Sequence, residues 1–149
     1  MHHPHSRRIQ LAHIYIKNGY IGSANNHMMN ETPAGDKYAD LSFMKVYAAG
    51  NPQLIKQLVN QFIEKTPASI SQMDEALTKA DYHTLSRIAH SLKSQVAYMG
   101  AKQANGLIVE IEQDAKEERR IDQLPQKIAL LREILHQVFS ELQNQLQEL

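Results

Sequence analysis

The chain has 149 residues, 42% of them hydrophobic, and no cysteine, which is enough for one domain with its own core. The missing thiols exclude disulfides and thiolate metal sites and suit a reducing, cytoplasmic setting. Its 16 basic and 16 acidic residues balance, and because the first 35 hold Arg7, Arg8 and Lys17 against Glu31 alone, the remainder is slightly acidic, which argues against a nucleic-acid partner.

Residues 1–37 are dense in turn signals: HHPH, NGY, GSANNH and ETPAGD follow one another closely. The run IQLAHIYIKNGYIG could turn as a hairpin at Asn18-Gly19. Its second arm is short, and a lone hairpin is marginal in water. A mostly disordered segment is expected here, with Met28 and Met29 as candidate natural starts just ahead of the folded part. The histidines of MHHPH are too few to make a metal site. The basic N-terminus has no continuous apolar core followed by a small-residue cleavage site, so no secretory signal is expected, and no apolar run has the length of a membrane span.

From residue 38 the apolar period is helical throughout. Asp40 can cap a short helix through Ala49, Gly50 can end it, and Asn51 with Pro52 opens the next. That helix carries Leu54, Ile55, Leu58, Val59 and Phe62 inward. Pro67 predicts a kink or brief break near Thr66, after which Ile70, Met73, Leu77 and Ala80 resume the pattern. Asp81 can cap a third helix to about Met99. A fourth is expected over roughly 102–118, with Ala104, Leu107, Ile108, Ile111 and Ala115 inward. Asp122 can start the last. Its apolar residues at 121, 124, 128, 131, 135, 138 and 142 alternate spacings of three and four, the seam of a helix aligned with its neighbours. The pattern predicts an all-α fold over 38–149: an antiparallel up-and-down four-helix bundle with a short extra N-terminal helix.

The third helix holds the chemistry. At about 100° per residue, Ile88, Ala89, Leu92, Val96 and Met99 lie within roughly 60° of Leu85. His90 falls at about 140° and Lys93 at about 80°, with Ser86, Ser94 and Ala97 on the same side. His90 is thus outside the core stripe, beside a lysine and small neighbours. A neutral imidazole is a competent nucleophile near neutral pH. A phosphoryl group on its ring nitrogen would find Lys93 one turn on to offset its charge. By themselves a histidine and a lysine on a helix surface are ordinary. No carboxylate joins His83 and His90 at coordinating spacing, and no Ser-His-Asp arrangement or glycine-rich phosphate loop occurs.

AHSLKSQVAYMGA, residues 89–101, resembles the motif of the histidine-containing phosphotransfer (HPt) family. The matching positions are Ala89-His90, then Lys93, the small Ser94, and Gly100-Ala101. The stretch from Asp40 to Leu77 resembles the family's lead-in, with Phe62 and a mid-helix proline. Ala104, Leu107, Ile108 and Ile111-Glu112 fall where the family keeps apolar positions followed by Glu or Gln. Ser94 stands where the family often has glycine, and Glu112 where it often has glutamine.

The resemblance implies a phosphocarrier of a two-component phosphorelay, with His90 as phosphoacceptor and Lys93 offsetting the phosphoryl charge. Glu112 would accept a bond from the ring N–H. Ser94, Ala97 and Gly100 would give access to the partner, and Leu41, Phe43 and Met44 would add an apolar docking surface. Partners would be receiver domains of response regulators or hybrid kinases. Any Mg²⁺ would sit on the receiver, and the chain itself would be a monomer without cofactor, metal or enzymatic activity of its own. Two alternatives stay open: an adaptor on the same scaffold that binds without phosphotransfer, and a piece of a larger kinase.

Overall fold

The computed structural model describes residues 37–149. The expectations for residues 1–36, including the disordered segment and the starts at Met28 and Met29, lie outside the described residues.

Residues 42–149 form helices joined by short turns. Helix α1 (Ser42–Tyr47) is short, and its N-cap position is Leu41, without a side-chain cap bond, rather than the expected Asp40, which lies one residue earlier and braces the entry. The Asp40 carboxylate accepts bonds from the Ser42 amide at 2.9 Å and the Ser42 hydroxyl at 2.6 Å. These bonds hold its carboxyl below the usual carboxylate range. The helix ends before Ala49, earlier than expected, because Ala49 and Gly50 both take positive φ, 52° and 75°. Gly50 adopts this conformation without steric cost.

Helix α2 (Pro52–Thr78) is capped by Asn51, whose Oδ1 accepts from the Gln53 and Leu54 amides. Pro52 occupies the first turn, where its missing N–H removes no helical bond. Of the kink or brief break expected near Thr66, the break does not occur: α2 is continuous through Pro67. The apolar positions on both sides of Pro67, Val59 and Phe62 before it and Ile70 and Met73 after it, are buried in one core. That shared burial offsets the proline's local cost.

Helix α3 (Tyr82–Tyr98) starts where Asp81 Oδ1 accepts from the Thr84 amide at 3.1 Å. Helix α4 spans Lys102–Glu117 and ends on Glu118 in the left-handed region. Asp122 does not begin the last α-helix: Ile121–Gln123 make a 3₁₀ turn, and α5 (Leu124–Gln147) follows, with Pro125 in its first turn. Five of the six later positions of the predicted seam, Leu124, Ile128, Leu131, Val138 and Leu142, are at most 1% exposed, and Leu135 is 2% exposed.

Helix α3 packs on α4 and α2, and α5 closes the ring against α4 and α2. With such short connections, consecutive neighbours must run antiparallel. Phe62 of α2 meets Phe139 of α5 edge to face at 5.8 Å.

Two polar features tie this bundle together. Lys127 of α5 is buried among carboxylates of α4: its ammonium pairs with Asp114 and Glu110. Asp114 is also fully buried, and its other oxygen accepts from the Arg120 guanidinium at 2.8 and 3.1 Å. At the opposite pole, residues 38–41 are strapped across the bundle. Glu141 Oε1 accepts from the amides of Tyr38 and Ala39, and the Gln145 side chain bonds both to Ala39 O and to the Leu41 amide.

Candidate functional site

His90 projects from the middle of α3 with 69% of its side chain exposed. The residues that turn the helix inward, Leu85, Ala89, Leu92 and Val96, are all buried, so the outward aim of the imidazole follows from the apolar period. Facing it from α4 is Glu112. The ring Nδ1 lies 2.6 Å from Glu112 Oε2, and the Lys93 ammonium donates to Oε1 at 2.8 Å. One carboxylate therefore serves both residues of the HxxK pair.

Burial raises the Glu112 carboxyl, but the hydrogen bonds and charges of Lys93 and His90 outweigh it, and the group is held below its ordinary value. Glu112 is thus ionised at neutral pH. An ionised carboxylate only accepts hydrogen bonds, so the proton between the two residues belongs to Nδ1. In the neutral ring the lone pair then resides on Nε2. The arrangement combines a nucleophilic nitrogen, a fixed ring orientation and a cation within the same turn of helix. Among the described residues there is no cluster of three or more His, Cys, Asp or Glu able to hold a metal ion.

Ser94 and Ala97 are exposed on α3 beyond His90, leaving that stretch of the outer face low. Gly100 is different. It was expected to give room to a partner, but the space it leaves is filled by the chain itself. A Cβ there would lie 2.2 Å from the Asp40 carbonyl oxygen, and its φ is +67°. Gly100 is required by the α3–α4 turn and by the strap that crosses it, where the Asp40 amide donates to Met99 O at 2.9 Å.

The expected apolar docking residues also divide. Leu41 and Met44 are buried, 1% and 3% exposed, because the short helix uses them to seal the end of the core. Phe43 remains outside. It stacks on Tyr98 at 5.3 Å and on Tyr47 at 6.1 Å, and Val46 is exposed nearby on the same helix. These rings border a groove of about 370 Å³ floored by Leu58, Phe62 and Met99. Tyr98 and Tyr47 were missed from sequence. Tyr98 lies off the core stripe of its helix, which was the available signal, but its pairing with Phe43 depends on a contact between distant segments.

A family model described as Hpt domain matches residues 57–149. No curated protein and no solved structure matches the chain. The family match covers α3 and α4 entire and therefore every residue of the His90–Lys93–Glu112 group. With an all-helical bundle and an outward histidine at its centre, the chain belongs to the Hpt domain family.

Proposed function

We propose that this protein is a phosphocarrier of a two-component phosphorelay. His90 takes a phosphoryl group from the aspartyl phosphate of one receiver domain and passes it to another. The observation that carries the reading is the 2.6 Å pairing of Glu112 with His90 Nδ1 on a side chain that is 69% exposed; in the neutral ring that pairing puts the lone pair on Nε2.

In the transfer, Nε2 attacks phosphorus, the bond to the aspartyl oxygen breaks, and the electron pair leaves on the receiver's carboxylate. Glu112 orients the ring, and Lys93 offsets the charge of the bound phosphoryl group. Ser94 and Ala97 admit the receiver. Phe43, Tyr47 and Tyr98 supply an apolar surface for it on the same side of the bundle as α3. The chain brings no nucleotide or metal chemistry to this step. Mg²⁺ held by the receiver would steady the phosphoryl oxygens. The chain works as a monomer, in the cytoplasm where receivers operate.

The test is incubation with a phosphorylated receiver and Mg²⁺, followed by assay for acid-labile, base-stable label. Label is expected on the wild type and absent from His90→Ala. Label that persists in His90→Ala would remove the site. No label from any receiver would leave the aromatic groove as the working surface of an adaptor.

A further inference from the structure

Glu112 has two carboxylate oxygens and two donors, and a phosphoryl group on His90 would compete for one of them. Lys93 is not idle in the unphosphorylated protein: its ammonium is committed to Glu112 Oε1 at 2.8 Å. It stands one turn after His90, on a flexible stem that can reach across to α4 or up to a group on the ring. Its side chain is only 35% exposed, so it already lies over this part of the surface.

Charge changes on both sides of the ring when Nε2 is phosphorylated. The neutral imidazole attacks with its lone pair, the N–P bond forms, and the Nδ1 proton stays in place. The ring becomes a phosphoimidazolium, so Glu112 Oε2 now faces a cation where it had faced a neutral donor. The phosphoryl oxygens bring a dianion with no counter-ion beside it. Before transfer the carboxylate is best neutralised by the ammonium. After transfer the ring cation serves it, and the ammonium gains more from the dianion.

We propose that phosphorylation makes Lys93 change partners: it leaves Glu112 for the phosphoryl oxygens while Glu112 keeps His90. The ion pair between α3 and α4 is then a parked state of the lysine, not a permanent bridge. The proposal rests on His90 being the phosphoacceptor. It also gives a reason for a carboxylate at position 112. A glutamine could orient the ring equally well but would hold an ammonium weakly, and Lys93 would not be parked.

The test uses potassium phosphoramidate, which phosphorylates histidine directly without a receiver. Its P–N bond breaks and ammonia leaves as the bond to Nε2 forms. The ¹³C resonance of the Glu112 carboxyl is followed in wild type and Lys93→Ala, before and after treatment. The two proteins should differ before phosphorylation and coincide after it, because Lys93 has then left Glu112 in the wild type too. A difference that survives phosphorylation unchanged would overturn the exchange.

Decay of the phosphohistidine ³¹P signal gives a second readout. Lys93→Ala should shorten its lifetime by about fivefold, and by more in a Glu112→Gln background, where no parked state opposes the lysine. Loss of the Lys93→Ala effect in that background would show that Lys93 acts only through Glu112, and would also overturn the proposal. Because the chain has eight histidines, the label is assigned by site, and the absence of any phosphohistidine signal that is lost in His90→Ala would sink both readings. Labelling by phosphoramidate but by no receiver would count against the relay reading alone.

Discussion

Glu112 accepts from His90 on one oxygen and Lys93 on the other, and the two bonds have different consequences for a single substitution. Replacing it with alanine removes the acceptor that fixes the proton on Nδ1. The ring is then free to populate the Nε2–H form, in which the exposed nitrogen has no lone pair to offer. Phosphorylation of Glu112→Ala should slow by about ten- to a hundredfold, with ¹⁵N shifts of the His90 ring reporting the mixed tautomers. Unchanged shifts would mean that the carboxylate does not set the proton's position. Acid has a related effect. Because the Glu112 carboxyl is held below its ordinary value, the site keeps its acceptor as pH falls through the usual carboxylate range and loses it only as pH drops through that lowered value. His90 and Lys93 were legible in the sequence because both their spacing and their place on the wheel depend on one helix. The same reasoning failed for Gly100. The atoms it makes room for belong to Asp40, sixty positions earlier, and no pattern local to the α3–α4 turn carries that contact.

Among the elements, the turn at Gly100 and the cap at Asn51 are fixed by few residues and are correspondingly easy to test. Gly100→Ala must place a Cβ against the Asp40 backbone at a positive φ. A loss of about 2–4 kcal/mol is expected in urea unfolding. Chemical phosphorylation of His90 should be unaffected at temperatures where the variant is folded, since the site lies on the middle of α3. Asn51→Ala removes the acceptor for two α2 amides and should cost about 1 kcal/mol. A loss below a few tenths would mean that water serves those amides equally well. The starts of α2 and α3 were readable because caps act over three or four residues. The unbroken passage of α2 through Pro67 was not. Local dihedral preference predicts a break there, and it is burial of apolar residues on both sides, a property of the assembled bundle, that prevails.

At the scale of the whole molecule, the buried pair of Asp114 and Lys127, with Glu110 and the half-exposed Arg120 beside it, joins α4 to α5 at one pole, and the strap of residues 38–41 joins α5 at the other. The apolar period foretold which helices would line the core, but it carries no sign of a lysine placed inside it. Lys127 is buried because two carboxylates of α4 meet it there. Burial raises the Asp114 carboxyl, while its bonds to Lys127 and Arg120 lower it further, so the folded value lies below the unfolded one. Its contribution to stability is therefore complete above about pH 4 and declines as pH falls through the folded value. Asp114→Ala should cost about 3–5 kcal/mol at neutral pH, because it leaves Lys127 buried with one carboxylate fewer. Stability measured by urea unfolding should then vary less with pH in the acid range than in the wild type, and an equally steep acid loss in the variant would place the sensitive group elsewhere. The strap has a topological consequence. Because Tyr38 and Ala39 are bonded to Glu141, the two ends of the described region lie side by side. A circular permutant that links residue 147 to residue 38 through a few glycines, and opens instead between Glu118 and Arg119, should assemble the same bundle with His90 undisturbed.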